Sequence, residues 1–239
     1  MRPNLYDYLK ILALLAMIID HIGFFLYPDL EVLRVIGRIA FPLFLFLVGW
    51  NHSFRFRPSL WCRGILLQAL MRGAVWFGVR EVWSPLNILL AIWWTRVLLW
   101  WLHTQESPVL EWLVMFIALL FASQTQGVID YGTLCIVFGL IGYLVRTWWW
   151  TMRSTLIIIL WVLFQIVFMN EYRWFWNQWL GLLIWIWVLL SGSMIRMSYR
   201  NSTLLTHTPL DSWILRMSKH ALELYVLQGI MLALLGTVI

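Results

Sequence analysis

Long apolar runs recur from one end of the chain to the other, each interrupted by a few polar or turn-forming residues before the next begins. The runs do not alternate with period two, and few have a wide polar face. They read as helices that are apolar nearly all round, the pattern of a bundle core or a lipid-facing span. The spacing predicts nine helices, over 8–27, 35–50, 60–79, 86–103, 109–122, 131–146, 154–169, 175–194 and 213–236. Pro28, Pro58, Pro85, Pro108 and the neighbourhoods of Gly127, Asn170 and Pro209 punctuate them. A spanning helix needs about 20 mostly apolar residues, which most of these runs approach. The third is the most polar, with Arg63, Gln68 and Arg72, and reads as interfacial or as lining an internal cavity.

Composition turns this pattern into a class. The 239 residues are 62% hydrophobic and 12% charged, whereas soluble domains are about 45–50% apolar and about 25% charged. The expectation is an all-α, polytopic transmembrane bundle of about nine spans, forming a single domain over 1–239. Arg2 and Lys10 precede the first run like the start of a signal peptide. Tyr27, Pro28 and Asp29 follow it instead of a small-residue cleavage site, so the segment is expected to remain as an anchor. The seventeen Lys and Arg are scattered singly, which argues against a nucleic-acid-binding face. With the N-terminus cytoplasmic, Arg2, Lys10, Arg55, Arg57, Arg63, Arg146, Arg153, Arg196, Arg200, Arg216 and Lys219 share that side. Only Arg34, Arg80 and Arg173 fall opposite. This bias follows the positive-inside rule and favours an odd number of spans. Many of the nineteen Trp cluster at run ends, as at Trp93-Trp94 and Trp148-Trp149-Trp150, and read as interfacial belts. Cys62 and Cys135 read as small packing residues, and no metal-ligand spacing appears.

Against this background Asp20 and His21 stand out, adjacent within the otherwise apolar stretch Ile11–Leu26. An aspartate at the centre of a span costs about 2.5–3.5 kcal/mol on insertion scales. Such a residue is a functional candidate by default. Neighbours i and i+1 point about 100° apart on a helix, so the two side chains must address different partners. One is expected to meet Arg38 across the first helix pair and the other to face a cavity. Gly37-Arg38-Ile39-Ala40-Phe41-Pro42 sets small residues on both sides of the arginine and a proline one turn on, features of a close helix contact. His21 suits general-base work at neutral pH. Arg38 suits a phosphate, a carboxylate or a developing oxyanion. Asn87, Asp130 and Tyr131 begin the fourth and sixth helices from the same outer side, and Tyr225 and Gln228 lie within the last. Structural alternatives stand beside each. Asp20 and Arg38 can form a buried ion pair, His21 can bond a backbone carbonyl, and Asn87 and Tyr131 can serve as cap and interfacial anchor.

Leu9-Lys10-Ile11-Leu12-Ala13-Leu14, Met17-Ile18-Ile19-Asp20-His21-Ile22 and Gly37-Arg38-Ile39-Ala40-Phe41-Pro42-Leu43-Phe44, followed by Trp50-Asn51, resemble in order and spacing the opening of the TraX family. Asn87-Ile88-Leu89 and Tyr131-Gly132 are similar to shorter family features. The family pattern carries a histidine three residues after the tyrosine of the last helix, where this chain has Gln228. The resemblance implies a multi-pass bacterial inner-membrane acyltransferase that acetylates pilin or a fimbrial subunit, with acetyl-CoA as donor. His21 and Asp20 would then be catalytic. Arg38, Asn87, Asp130, Tyr131, Tyr225 and Gln228 would bind substrate or donor. Arg55, Arg57 and Arg63 would attract coenzyme A, unless topology alone explains them. Two other classes share these residues: a non-enzymatic assembly factor that docks pilin, and a small proton-coupled transporter. The transporter class lacks the internal repeat and the matched broken helices expected of it.

Overall fold

A computed structural model describes residues 3–27, 29–37, 40–51, 58–76, 88–125, 132–147, 209–221, 223–225, 227, 228 and 231. Among them the secondary structure is entirely helical: α1 Leu5–Phe25, α2 Glu31–Gly37, α3 Ala40–Trp50, α4 Pro58–Trp76, α5 Ile88–Gln105, α6 Pro108–Leu120, α7 Ala122–Thr125, α8 Leu134–Thr147 and α9 Pro209–Lys219. The expected seventh and eighth helices, and Arg38, Asn87, Asp130 and Tyr131, lie outside the described residues. The chain divides into two compact units, Met1–Phe44 with Trp148–Ile239 and Leu45–Thr147.

No helix among the described residues is both long and apolar enough to cross a membrane alone, so the nine spans of the sequence reading do not appear as nine such helices. The expected second span is described as α2 and α3, with residues 38 and 39 outside the described residues. The 21-residue α1 has the length, but it also carries Asp7, Lys10 and Asp20.

Local chemistry accounts for the helix starts. Asn4 and Asp7 form a reciprocal capping box, each side chain accepting the other's backbone N–H at 3.1 Å, so α1 begins three residues earlier than the apolar run suggests. Ser107 caps α6 and Pro108 occupies its first turn, where the missing N–H costs nothing. Between α5 and α6, Glu106 takes a left-handed conformation, φ 48°, which reverses the chain within a very short turn.

In the first unit, α1 buries Leu9, Ala13, Ala16, Met17 and Asp20, a stripe with helical spacing that includes the aspartate. This helix packs against both α2 and α9. At its N-terminal end Ser218 Oγ donates to Asp7 at 2.6 Å, and Lys10 Nζ donates to the Ser218 carbonyl at 3.4 Å. Cation–π contact with Tyr6, 4.8 Å away, steadies the same lysine.

In the second unit, α5 packs on α4, α6 and α8. The C-terminal part of α3 lies on α8 with backbones touching. A Cβ on Gly49 would stand 1.8 Å from the Gly139 carbonyl oxygen, and one on Gly142 would stand 2.1 Å from that of Phe46. Small residues at both positions allow this approach, as in packed membrane helices. Arg146 then donates to the Trp50 carbonyl at the C-terminal end of α3. Cys135 is buried as expected, but Cys62 is exposed and is not a packing residue. Gly49→Ala is expected to destabilise the unit by about 1–3 kcal/mol, since the obstacle is rigid backbone. Thermal unfolding in detergent measures this, and an unchanged midpoint would contradict the α3–α8 contact.

Candidate functional site

Asp20 and His21 diverge, as their adjacency requires. Asp20 is 8% exposed and lies against α2 at Gly37, where an added Cβ would come within 2.1 Å of the Asp20 Cβ and 2.4 Å of its Cα. Only a residue without a side chain lets the two helices meet at that level. The position next in sequence is Arg38, which the sequence pairs with this helix.

His21, half-buried, turns instead towards the C-terminal helical residues. Its Nδ1 is 2.9 Å from Gln228 Nε2, and its ring centroid is 6.0 Å from that of Tyr225 at a 41° tilt. The structure thus brings together three of the eight predicted site residues, His21, Tyr225 and Gln228, while Asp20 faces α2. Chain direction makes the contact possible. Asp7 meets Ser218 near the start of α1 and His21 meets Gln228 near its end, so the first and last helical segments run parallel.

The amide decides which ring nitrogen is basic. With its nitrogen facing Nδ1, Gln228 donates to the ring and the imidazole proton sits on Nε2. In that orientation Gln228 Oε1 is buried with no hydrogen-bond partner among the described residues. Half a turn of the amide brings Oε1 to the ring, where Nδ1–H donates to it. The oxygen is then satisfied, the amide nitrogen takes the position it leaves, and the basic lone pair lies on Nε2. Gln228 therefore sets which ring nitrogen of His21 carries the proton.

Comparison with known proteins now adds identity to this geometry. The family model described as TraX protein matches residues 6–206. The chain belongs to the TraX family. The match includes Asp20, His21 and Gly37 and stops short of Tyr225 and Gln228, so the fold, rather than the matched TraX span, attaches those two to the site. A similar protein, "Uncharacterized protein RP591" of Rickettsia prowazekii (strain Madrid E), is 32% identical over 149 residues, covering 61% of this chain and 57% of the relative. The aligned part thus spans little more than half of that relative. No solved structure matches the chain.

Sequence reasoning passed over a second polar cluster, in the other unit. Glu111 and Tyr143, both 4% exposed, and His103 come from α6, α8 and α5. The signal was available, since Glu111 interrupts an apolar run as Asp20 does. One turn from Pro108, however, it reads as an ordinary first-turn acid complementing the helix dipole.

Replacing Gln228 with leucine removes both ends of the amide. The His21 ring is then expected to sample both tautomers, which nitrogen-15 NMR of histidine-labelled protein reads directly. A His21 spectrum identical to wild type would show that Gln228 does not hold the ring.

Proposed function

We propose that this protein is a multi-pass inner-membrane acyltransferase of pilus biogenesis, acetylating the N-terminal amine of pilin with acetyl-CoA as donor. The observation that carries the reading is the His21–Gln228 contact beside a buried Asp20. It places a half-buried, oriented imidazole next to an acid that packing alone does not require. TraX family membership supports a role in pilus or fimbrial assembly. The apolar composition and the one-sided distribution of Lys and Arg support a bilayer location with the N-terminus cytoplasmic.

In this reading the acceptor amine attacks the carbonyl carbon of the activated acyl group. A C–N bond forms, the bond from that carbon to its leaving group breaks, the amine proton leaves through His21 Nε2, and the leaving group takes up a proton from solvent. General-base assistance of this kind is worth about 10²–10⁴ in rate. Asp20 keeps Arg38 in place, and Arg38 stabilises the oxyanion or holds a donor phosphate. Asn87, Asp130 and Tyr131 bind substrate or donor in this reading, and Tyr225 packs beside the imidazole.

The intact mass and N-terminal peptide of pilin test the proposal in wild-type, deletion and His21→Ala strains. An acetyl group is expected with the wild-type gene only. Undiminished acetylation with His21→Ala would sink the mechanism. Equal masses in all three strains would point to an assembly factor if the deletion loses pili, and to another acceptor if pili persist.

A further inference from the structure

The second unit buries an ionisable group for which the His21 site has no use. Glu111 and Tyr143 are each 4% exposed, and the Tyr143 hydroxyl hydrogen-bonds the Glu111 side chain. The same hydroxyl is 3.3 Å from His103 Nδ1, with the two rings edge to face at 6.2 Å and 80°. His103 is exposed. Carboxylate, phenol and imidazole therefore form a line from interior to surface, one from each of three helices. The tight turn through left-handed Glu106 sets the last turn of α5 beside the first turn of α6 and makes the line possible.

Proton counting fixes the roles. A phenol has one proton, and given to the Glu111 carboxylate it leaves the Tyr143 oxygen as an acceptor. The imidazole must then bring its own proton on Nδ1, which leaves the lone pair on Nε2. Nucleophile, orienting group and buried acid in series are the arrangement that activates a side chain for covalent acyl transfer. A leucine core would fill the same volume without the desolvation cost of a carboxylate.

We propose that His103 Nε2 is an acyl-accepting nucleophile for thioester donors, with Tyr143 as its positioning residue and Glu111 as the proton acceptor behind it. This rests on the acyl-transfer reading and names where the donor is met. Nε2 attacks the thioester carbonyl carbon, forming a C–N bond, and the C–S bond breaks with its electron pair leaving on the thiolate. The Nδ1 proton moves to Tyr143 as the Tyr143 proton moves to Glu111, and the thiolate takes a proton from solvent. When an acceptor amine later displaces the imidazole, the amine's proton goes to solvent. The two relay protons run back, restoring Nδ1–H and the Glu111 carboxylate. The charge bias of the sequence puts the α5–α6 turn and the end of α8 on the cation-rich side, with Arg146 exposed one turn beyond Tyr143. A polyanionic thioester arriving from the cytosol meets His103 there.

The test uses the full-length protein in membranes with acetyl-CoA and no acceptor, reading thiol release by a chromogenic reagent and protein mass after rapid quenching. Wild type is expected to release a burst of about one thiol per protein and to carry one acetyl group on the His103 peptide. His103→Gln should show neither. Tyr143→Phe, which keeps the ring and removes only the hydroxyl, should slow the burst by about tenfold or more. A wild-type burst rate in either His103→Gln or Tyr143→Phe, or an acetyl group on another residue, would overturn the inference. Pilin acetylated by a wild-type protein that shows no burst would overturn it while leaving the proposed function standing. A wild-type protein that neither bursts nor acetylates pilin would overturn both.

Discussion

A carboxylate can sit on the buried stripe of α1 only where its neighbour has no side chain, and Gly37 meets that requirement. Asp20 occupies the place a leucine would take in an ordinary amphipathic helix, one turn beyond Met17 and in register with Leu9 and Ala13. With any larger residue at 37 the two backbones would have to part, because the obstacle is the Asp20 main chain as well as its side chain. Once Asp20 faces α2, helical geometry turns His21 away by about 100°. The direction of the imidazole, and hence its meeting with Gln228, follows from that single close contact.

The two polar clusters solve one problem in different ways. Both tie an imidazole Nδ1 to a neutral side chain, Gln228 in one unit and Tyr143 in the other. The acid stands beside the imidazole in sequence at Asp20 and behind it through a phenol at Glu111. In the first arrangement the acid and the base look at different neighbours, which suits one group holding a partner while the other handles a proton. In the second they are in series, which suits moving a proton inward as a bond forms outside.

The sequence made much of this visible, and the gaps have physical causes. Asp20 and His21 were legible because lone ionisable residues in an apolar run have an obvious solvation cost. Their divergence was legible from helical geometry alone. Helix ends were less so, since the capping box at Asn4 and Asp7 extends α1 past the hydropathy boundary. Gln228 could be placed among the polar residues of the last helix, but its contact with His21 depends on packing between segments 207 residues apart. Glu111 was missed because an acid in a first turn has a ready explanation. Only the burial of Tyr143 and the reach of His103, properties of three helices together, give it another. Cys62 shows the opposite error, since small size favours burial without compelling it.

The parallel run of the first and last helical segments gives the His21 site an order of assembly. The imidazole leaves the ribosome with α1, and the amide that meets it follows 207 residues later. Until that segment arrives, the ring has no fixed tautomer from this source. A chain cut short after α9 retains the acid, the imidazole and the contact of Asp20 with Gly37, yet lacks the group that directs the ring.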